Sequence, residues 1–224
     1  MPRFHLHTLA LAAAVLCPVL AQADVFQVTM TSTVGGVANS TGIQAFMPLG
    51  SAVTMSFQVD SGNFSNNPFY PTRGYVIDPA SFSLKAGSVN VEVAMSSPMY
   101  FVLRDNDPGV DGFYFGSNTS IDGDFKATVP GMSQQFNFNY HETWNKTLLS
   151  SLNIADAPSS ISLNNLSVYQ FDLQLNGGYI AADFYPPTVT ITNISAVPEP
   201  STYGLMAVGL VAVAGIARRR RKAA

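Results

Sequence analysis

Residues 24–196 predict an all-β domain, an antiparallel two-sheet sandwich of the jelly-roll kind, with an N-terminal signal peptide before it and a single C-terminal transmembrane helix after it. Three observations predict this. Apolar and polar residues alternate over short runs, the period of a half-buried strand. Only 11% of the 224 residues are charged while 47% are apolar, which excludes both a disordered chain and a soluble helical bundle with Lys- and Glu-rich outer faces. Seventeen glycines and fourteen prolines divide the chain into runs roughly 10–15 residues apart, as in a sandwich.

The elements follow in order. Residues 25–31 (Val-Phe-Gln-Val-Thr-Met-Thr) and 53–59 alternate strictly. Residues 81–84 and 89–93 flank Gly87, a hairpin pattern. Strands are expected next at 99–103, 112–115 and 135–140. Residues 143–152 differ: Trp144, Leu148, Leu149 and Leu152 fit one helical face and predict a short helix. The last strands are 168–175, 179–184 and 188–194, the first two joined by Asn176-Gly177-Gly178, a tight turn needing positive φ. Alternation buries one side chain in two, which suits antiparallel pairing. Without an internal repeat or linker, 24–196 reads as one domain, large enough to bury a core without staples.

Charge is segregated. Arg3 and the five residues Arg218 to Lys222 hold six of the eleven basic groups. The segment 24–200 has five basic residues (Arg73, Lys85, Arg104, Lys126, Lys146) against fourteen acidic ones, a net of −9. Such a body repels phosphate backbones, so no nucleic-acid partner is expected. Residues 1–23 have a basic start, an apolar run from Leu9 to Leu20 and Ala21-Gln22-Ala23. The small residues Ala21 and Ala23 predict signal-peptidase cleavage after Ala23. Cys17 would leave with the peptide, and no disulfide or Cys-held metal is then expected.

At the other end, Val197-Pro198-Glu199-Pro200 precedes seventeen uncharged residues, 201–217, and the run Arg218-Arg219-Arg220-Arg221-Lys222. Seventeen helical residues span about 25 Å, and snorkelling arginines make up the shortfall against a hydrocarbon core. The basic cluster stays cytoplasmic, which places the domain outside the membrane. Residues 197–224, with Pro-Glu-Pro, apolar helix and terminal arginines in that order, resemble the PEP-CTERM sorting signal of Gram-negative bacteria. The resemblance implies an exosortase, a membrane-embedded Cys-dependent protease or transpeptidase, acting near Pro198-Glu199-Pro200. It also implies a host that makes extracellular polysaccharide, a transient anchor in the inner membrane, and delivery to the cell surface or matrix. It implies nothing about the activity of 24–196.

Catalytic material in that segment is scarce. Its one histidine, His141, lies in an alternating run, and there is no Gly-x-Ser-x-Gly elbow or phosphate loop. Two carboxylates suffice for glycoside hydrolysis, but Glu92 and Glu142 occupy polar strand positions and Glu199 belongs to the tail. Asp105, Asp107 and Asp111 put three carboxylates into a Gly-containing turn, the material calcium uses; an Asx-rich turn uses the same residues and is the preferred reading. Asn-x-Ser/Thr triplets begin at Asn39, Asn63, Asn118, Asn145, Asn165 and Asn193. Aromatics sit beside prolines at 67–71 and 184–187, where Tyr faces stack on sugar rings or plug a core end. The expectation is therefore a non-enzymatic exported protein with a structural, adhesive or polysaccharide-associated role. The alternative is a secreted carbohydrate-active enzyme on the same fold.

Overall fold

A computed structural model of the chain describes residues 23–95, 98–106, 110–119, 123, 125–145, 148–162, 168–175, 179–185, 187–195, 209, 210 and 213. The described residues of the domain are all-β, forming thirteen strands, all of whose pairings are antiparallel. In chain order these are β1 (Val25–Val37), β2 (Ala52–Asn66), β3 (Thr72–Ile77), β4 (Ser83–Ala86), β5 (Val89–Val93), β6 (Tyr100–Arg104) and β7 (Val110–Gly116). They continue with β8 (Phe125–Thr128), β9 (Gln135–Asn145), β10 (Ser160–Ser162), β11 (Val168–Leu175), β12 (Tyr179–Phe184) and β13 (Thr188–Asn193).

Hydrogen bonding joins all thirteen in one sheet instead of dividing them between two. Its sequence of neighbours is β10-β13-β1-β12-β11-β9-β7-β6-β3-β2-β4-β5-β8, and the β1–β2 and β8–β9 pairings fold it back on itself. The physical reason is the length of β1, β2 and β9. Residues 25–33 of β1 pair with β2 along one edge, while β13 (opposite residues 26–31) and β12 (opposite Val34, Gly36 and Val37) follow one another along the other edge, so one strand joins three neighbours. A register shift between Val34 and Gly36 supplies the bend. The ring β1-β12-β11-β9-β7-β6-β3-β2 is thereby closed.

Side chains fill the interior. Phe57 packs its ring on Phe101 and Phe115 at 5.4 and 5.3 Å, and contacts continue from Phe115 to Phe138, Phe171 and Phe184 at 5.8, 5.9 and 4.9 Å. These tilted and edge-to-face geometries suit aromatic quadrupoles. Loop residues cover part of the outer face as well, so all of residues 101–103 and 111–116 are buried.

The Gly87 hairpin is present, with φ +61° at Gly87 between β4 and β5. The turn 176–178 lies outside the described residues, although the strands it joins pair from Leu175↔Tyr179. The helix expected at 143–152 is replaced: residues 143–145 continue β9, paired with Val110 to Gly112 of β7, and 148–152 are irregular. A ladder on either side of β9 outweighs the helical spacing of four apolar residues. Strands β3, β8 and β10 are additional to those the alternation predicts. Among the described residues no helix is long and apolar enough to cross a membrane. The expected span 201–217 lies outside them except for Gly209, Leu210 and Val213, which are helical.

Candidate functional site

Four places bring together polar or exposed groups of functional interest. The first is the Asp105/Asp107/Asp111 turn. Asp111 is fully buried in β7. Its Oδ1 accepts the Asn106 amide at 2.9 Å, and its Oδ2 accepts the Leu148 and Leu149 amides at 2.7 and 3.0 Å. Asp105 is partly exposed and accepts the Asn106 side-chain amide at 2.7 Å; Asn106 has φ +55°, a conformation Asn tolerates. Asp107 lies outside the described residues, among which no three His, Cys, Asp or Glu side chains are grouped to hold a metal. Asp111 thus fastens two loops together, a role that needs no cation.

The second is the tip of the β2–β3 hairpin. Asn67 is buried, and its Oδ1 accepts the amides of Phe69 and Tyr70 at 2.8 and 3.2 Å while its Nδ2 donates to the Thr119 carbonyl at 3.0 Å. The Asn67 amide donates to the Thr72 carbonyl, and the Thr72 hydroxyl to the Thr119 carbonyl. Pro68 and Pro71 fix two φ angles of the same loop. On this pinned frame Phe69 is 84% exposed and Tyr70 55%. Beside them the Arg73 guanidinium lies 4.1 Å over the Phe64 ring and donates to Asn66 Oδ1 at 2.8 Å.

The third is a carboxylate pair that alternation alone did not single out. Asp172 of β11 stands directly opposite Asp183 of β12. Asp172 is buried and accepts the side-chain amides of Gln170 and Gln174, each at 3.3 Å. Burial raises the Asp183 carboxyl above the ordinary Asp range, and a hydrogen bond from the Phe184 backbone pulls it partly back. Their pairing depends on the register shift between Leu173 and Gln174: Asp172 lies four residues before the turn 176–178 and Asp183 five after it, so equal spacing from the turn does not reveal it. Neither aspartate lines the hollow of about 380 Å³ beside Val25, Asp60 and Asp78 or that of about 450 Å³ beside Glu92. Glu92 is exposed on β5. His141 and Glu142 belong to β9, with His141 opposite Tyr114 and Gln170 in the ladders.

The fourth is the junction with the export signals. The Val25 amide donates to Ser195 Oγ at 2.7 Å and the Ile194 amide to the Val25 carbonyl at 2.8 Å. Both ends of the domain therefore leave at one pole. Of the cleavage residues, Ala23 is described and Ala21 is not; Val197, Pro198, Glu199, Pro200, Arg218, Arg219, Arg220 and Arg221 also lie outside the described residues. Their assignment rests on sequence; the family described as the PEP-CTERM protein-sorting motif matches residues 196–222. The chain carries a PEP-CTERM sorting motif. This motif marks an exported protein sorted by exosortase to the surface or beyond. No curated protein and no solved structure matches the chain.

Proposed function

We propose that this PEP-CTERM protein is a non-enzymatic component of the cell surface or extracellular matrix that associates with polysaccharide through the β2–β3 hairpin tip. After signal-peptidase cleavage the C-terminal helix holds it transiently in the inner membrane, and exosortase acts near Pro198-Glu199-Pro200. The observation that carries the reading is the exposure of Phe69 and Tyr70 on a loop whose amides are already bound by buried Asn67. Exposed aromatics that are held in place lose little conformational entropy on stacking against a sugar ring, and the neighbouring Arg73 and Asn66 supply donors and an acceptor. The test is binding of the exported protein to the host's own exopolysaccharide, with and without calcium. The Phe69→Ala/Tyr70→Ala variant is expected to bind at least fivefold more weakly with unchanged Tm; equal binding by the variant, or none by the wild type, refutes the reading. Mass spectrometry of the mature protein reads out processing, because retained Arg218 to Lys222 would mean permanent anchoring.

The second reading, a secreted carbohydrate-active enzyme, is favoured by one observation, the Asp172–Asp183 register pair. Paired carboxylates of which one is held protonated to higher pH are what glycoside hydrolysis uses. Hydrolysis of the same polysaccharide, abolished by Asp183→Asn, would establish it.

A further inference from the structure

Residues 60–63 interrupt the β2–β3 ladder: Val59 pairs with Ile77 but the next partners are Phe64 and Tyr75, so β2 bulges by several residues there. The bulge folds against the start of the domain. Asp24 and Ser61 exchange two hydrogen bonds, Asp24 N to Ser61 Oγ at 2.9 Å and Ser61 N to the Asp24 carbonyl at 2.8 Å. The Gly62 amide donates to Asp60 Oδ1 at 2.7 Å. A Cβ on Gly62 would lie 2.9 Å from the Ala23 methyl carbon and 3.3 Å from Asp60 Oδ1, so that carboxylate oxygen and Ala23 are no further apart than those two distances added. Asp60 and Asp78 also line the adjoining hollow.

We propose that the bulge is a seat for the N-terminus created by signal-peptide removal. The inference rests on cleavage between Ala23 and Asp24. Signal peptidase adds water across that bond: hydroxide goes to the Ala23 carbonyl carbon, the C–N bond breaks, the Asp24 nitrogen takes water's other proton to become an amine, and the new Ala23 carboxylic acid gives up its proton to it, leaving a carboxylate and the Asp24 ammonium. That nitrogen already donates to Ser61 Oγ, and the departure of Ala23 opens the space between it and the Asp60 carboxylate. The ammonium gains two further donors and a negative partner, where an uncleaved chain offers one amide N–H. An opposite charge nearby favours the charged form and raises the α-amino pKa above its ordinary value, about 7.7–8.0. The same pairing of Asp24 with Ser61 occupies both the N–H and the C=O of Asp24 in the folded domain. A protease that binds its substrate as an extended strand needs those groups, so cleavage precedes closure of this corner.

The test uses the full-length chain exported in a host that has signal peptidase, purified with its C-terminal segment in detergent. N-terminal sequencing comes first, and the pH dependence of N-terminal acylation then gives the α-amino pKa. We expect an Asp24 terminus and a pKa raised by about half a unit to one unit, hence several-fold slower acylation at pH 7.5. Asp60→Asn and Ser61→Ala are each expected to restore the ordinary value; two substitutions guard against one that misfolds. A terminus other than Asp24 overturns the processing reading and the seat with it. An Asp24 terminus whose pKa is ordinary, or unchanged by both substitutions, overturns the seat alone.

Discussion

Replacing Asp111 separates a structural clasp from a cation ligand. In Asp111→Ala the amides of Asn106, Leu148 and Leu149 lose their acceptor in a fully buried position. A hydrogen bond to a charged group contributes about 1.5–3 kcal/mol net, and a buried N–H without a partner costs about 1–3 kcal/mol. The three share one carboxylate, so their contributions are not additive, and the expected loss is about 3–5 kcal/mol. At about 2–4 °C per kcal/mol for a domain of this size class, Tm should fall by about 6–20 °C. Asp111→Asn is expected to be nearly as costly, because its amide group turns a donor toward N–H groups that need an acceptor. Asp105→Ala, which removes one contact with an exposed side chain, should stay within about 0.5 kcal/mol. Thermal and urea unfolding of the three variants, each with and without millimolar calcium, measures these differences. The reasoning fails if Asp111→Ala and Asp105→Ala are equally stable, or if calcium raises the wild-type Tm and leaves that of Asp111→Ala unmoved.

Other outcomes follow from the same physics. Because burial raises the folded-state pKa of Asp183, the folded protein binds the proton more tightly than the unfolded chain. Stability linked to it is full below the unfolded Asp value, about 3.9, and is lost as pH rises through the folded value. Asp183→Asn should therefore be more stable than wild type at pH 7, the gap closing toward pH 4 in a series of melts. Phe57→Ala removes a fully buried ring in contact with Phe82, Phe101 and Phe115 and should cost about 3–5 kcal/mol in urea unfolding. Gly74→Ala puts a methyl group 3.0 Å from Thr119 Cγ2 and from Tyr100 Cδ1; about 1–3 kcal/mol is expected from overpacking, read as a lower Tm.

Ten strands are legible in the sequence because their neighbours alternate cleanly, and 89–93, 168–175 and 179–184 match β5, β11 and β12 residue for residue. β3 is hidden because both of its faces are covered: Tyr75 and Ile77 point into the core while Gly74 lies beneath Thr119, which erases the polar half of the pattern. β8 and β10 have four and three residues, too few for any period. Closure of the sheet is not a local property at all. It depends on β1 being long enough to pair with β2, β12 and β13. The role of Asp111 escapes for a similar reason, since two of its amide partners lie 37 and 38 residues away. The sorting motif needed no fold to be read, because its recognition depends on an order of residue types along the chain.

The same topology constrains how export and folding fit together. β1, the first strand to cross the membrane, takes β13, the last, as a partner along residues 26–31. Its open edge is filled only when the chain has emerged as far as Asn193, and such long-range pairing is slow. Between Asn193 and the apolar run beginning at Ser201 there are seven residues, at most about 25 Å of extended chain. On the proposed reading, in which 201–217 enters the bilayer, the domain closes while tethered near the membrane surface. An acidic body of net charge −9 tethered there would be repelled by anionic lipid headgroups over about a Debye length, 8–10 Å. The short tether would then hold the folded domain against that outward force. On the same proposed reading, scission near Pro198-Glu199-Pro200 would remove the helix and the arginine run together, the two elements that oppose departure, and one cut would turn a membrane-bound precursor into a strongly acidic protein free to leave the membrane.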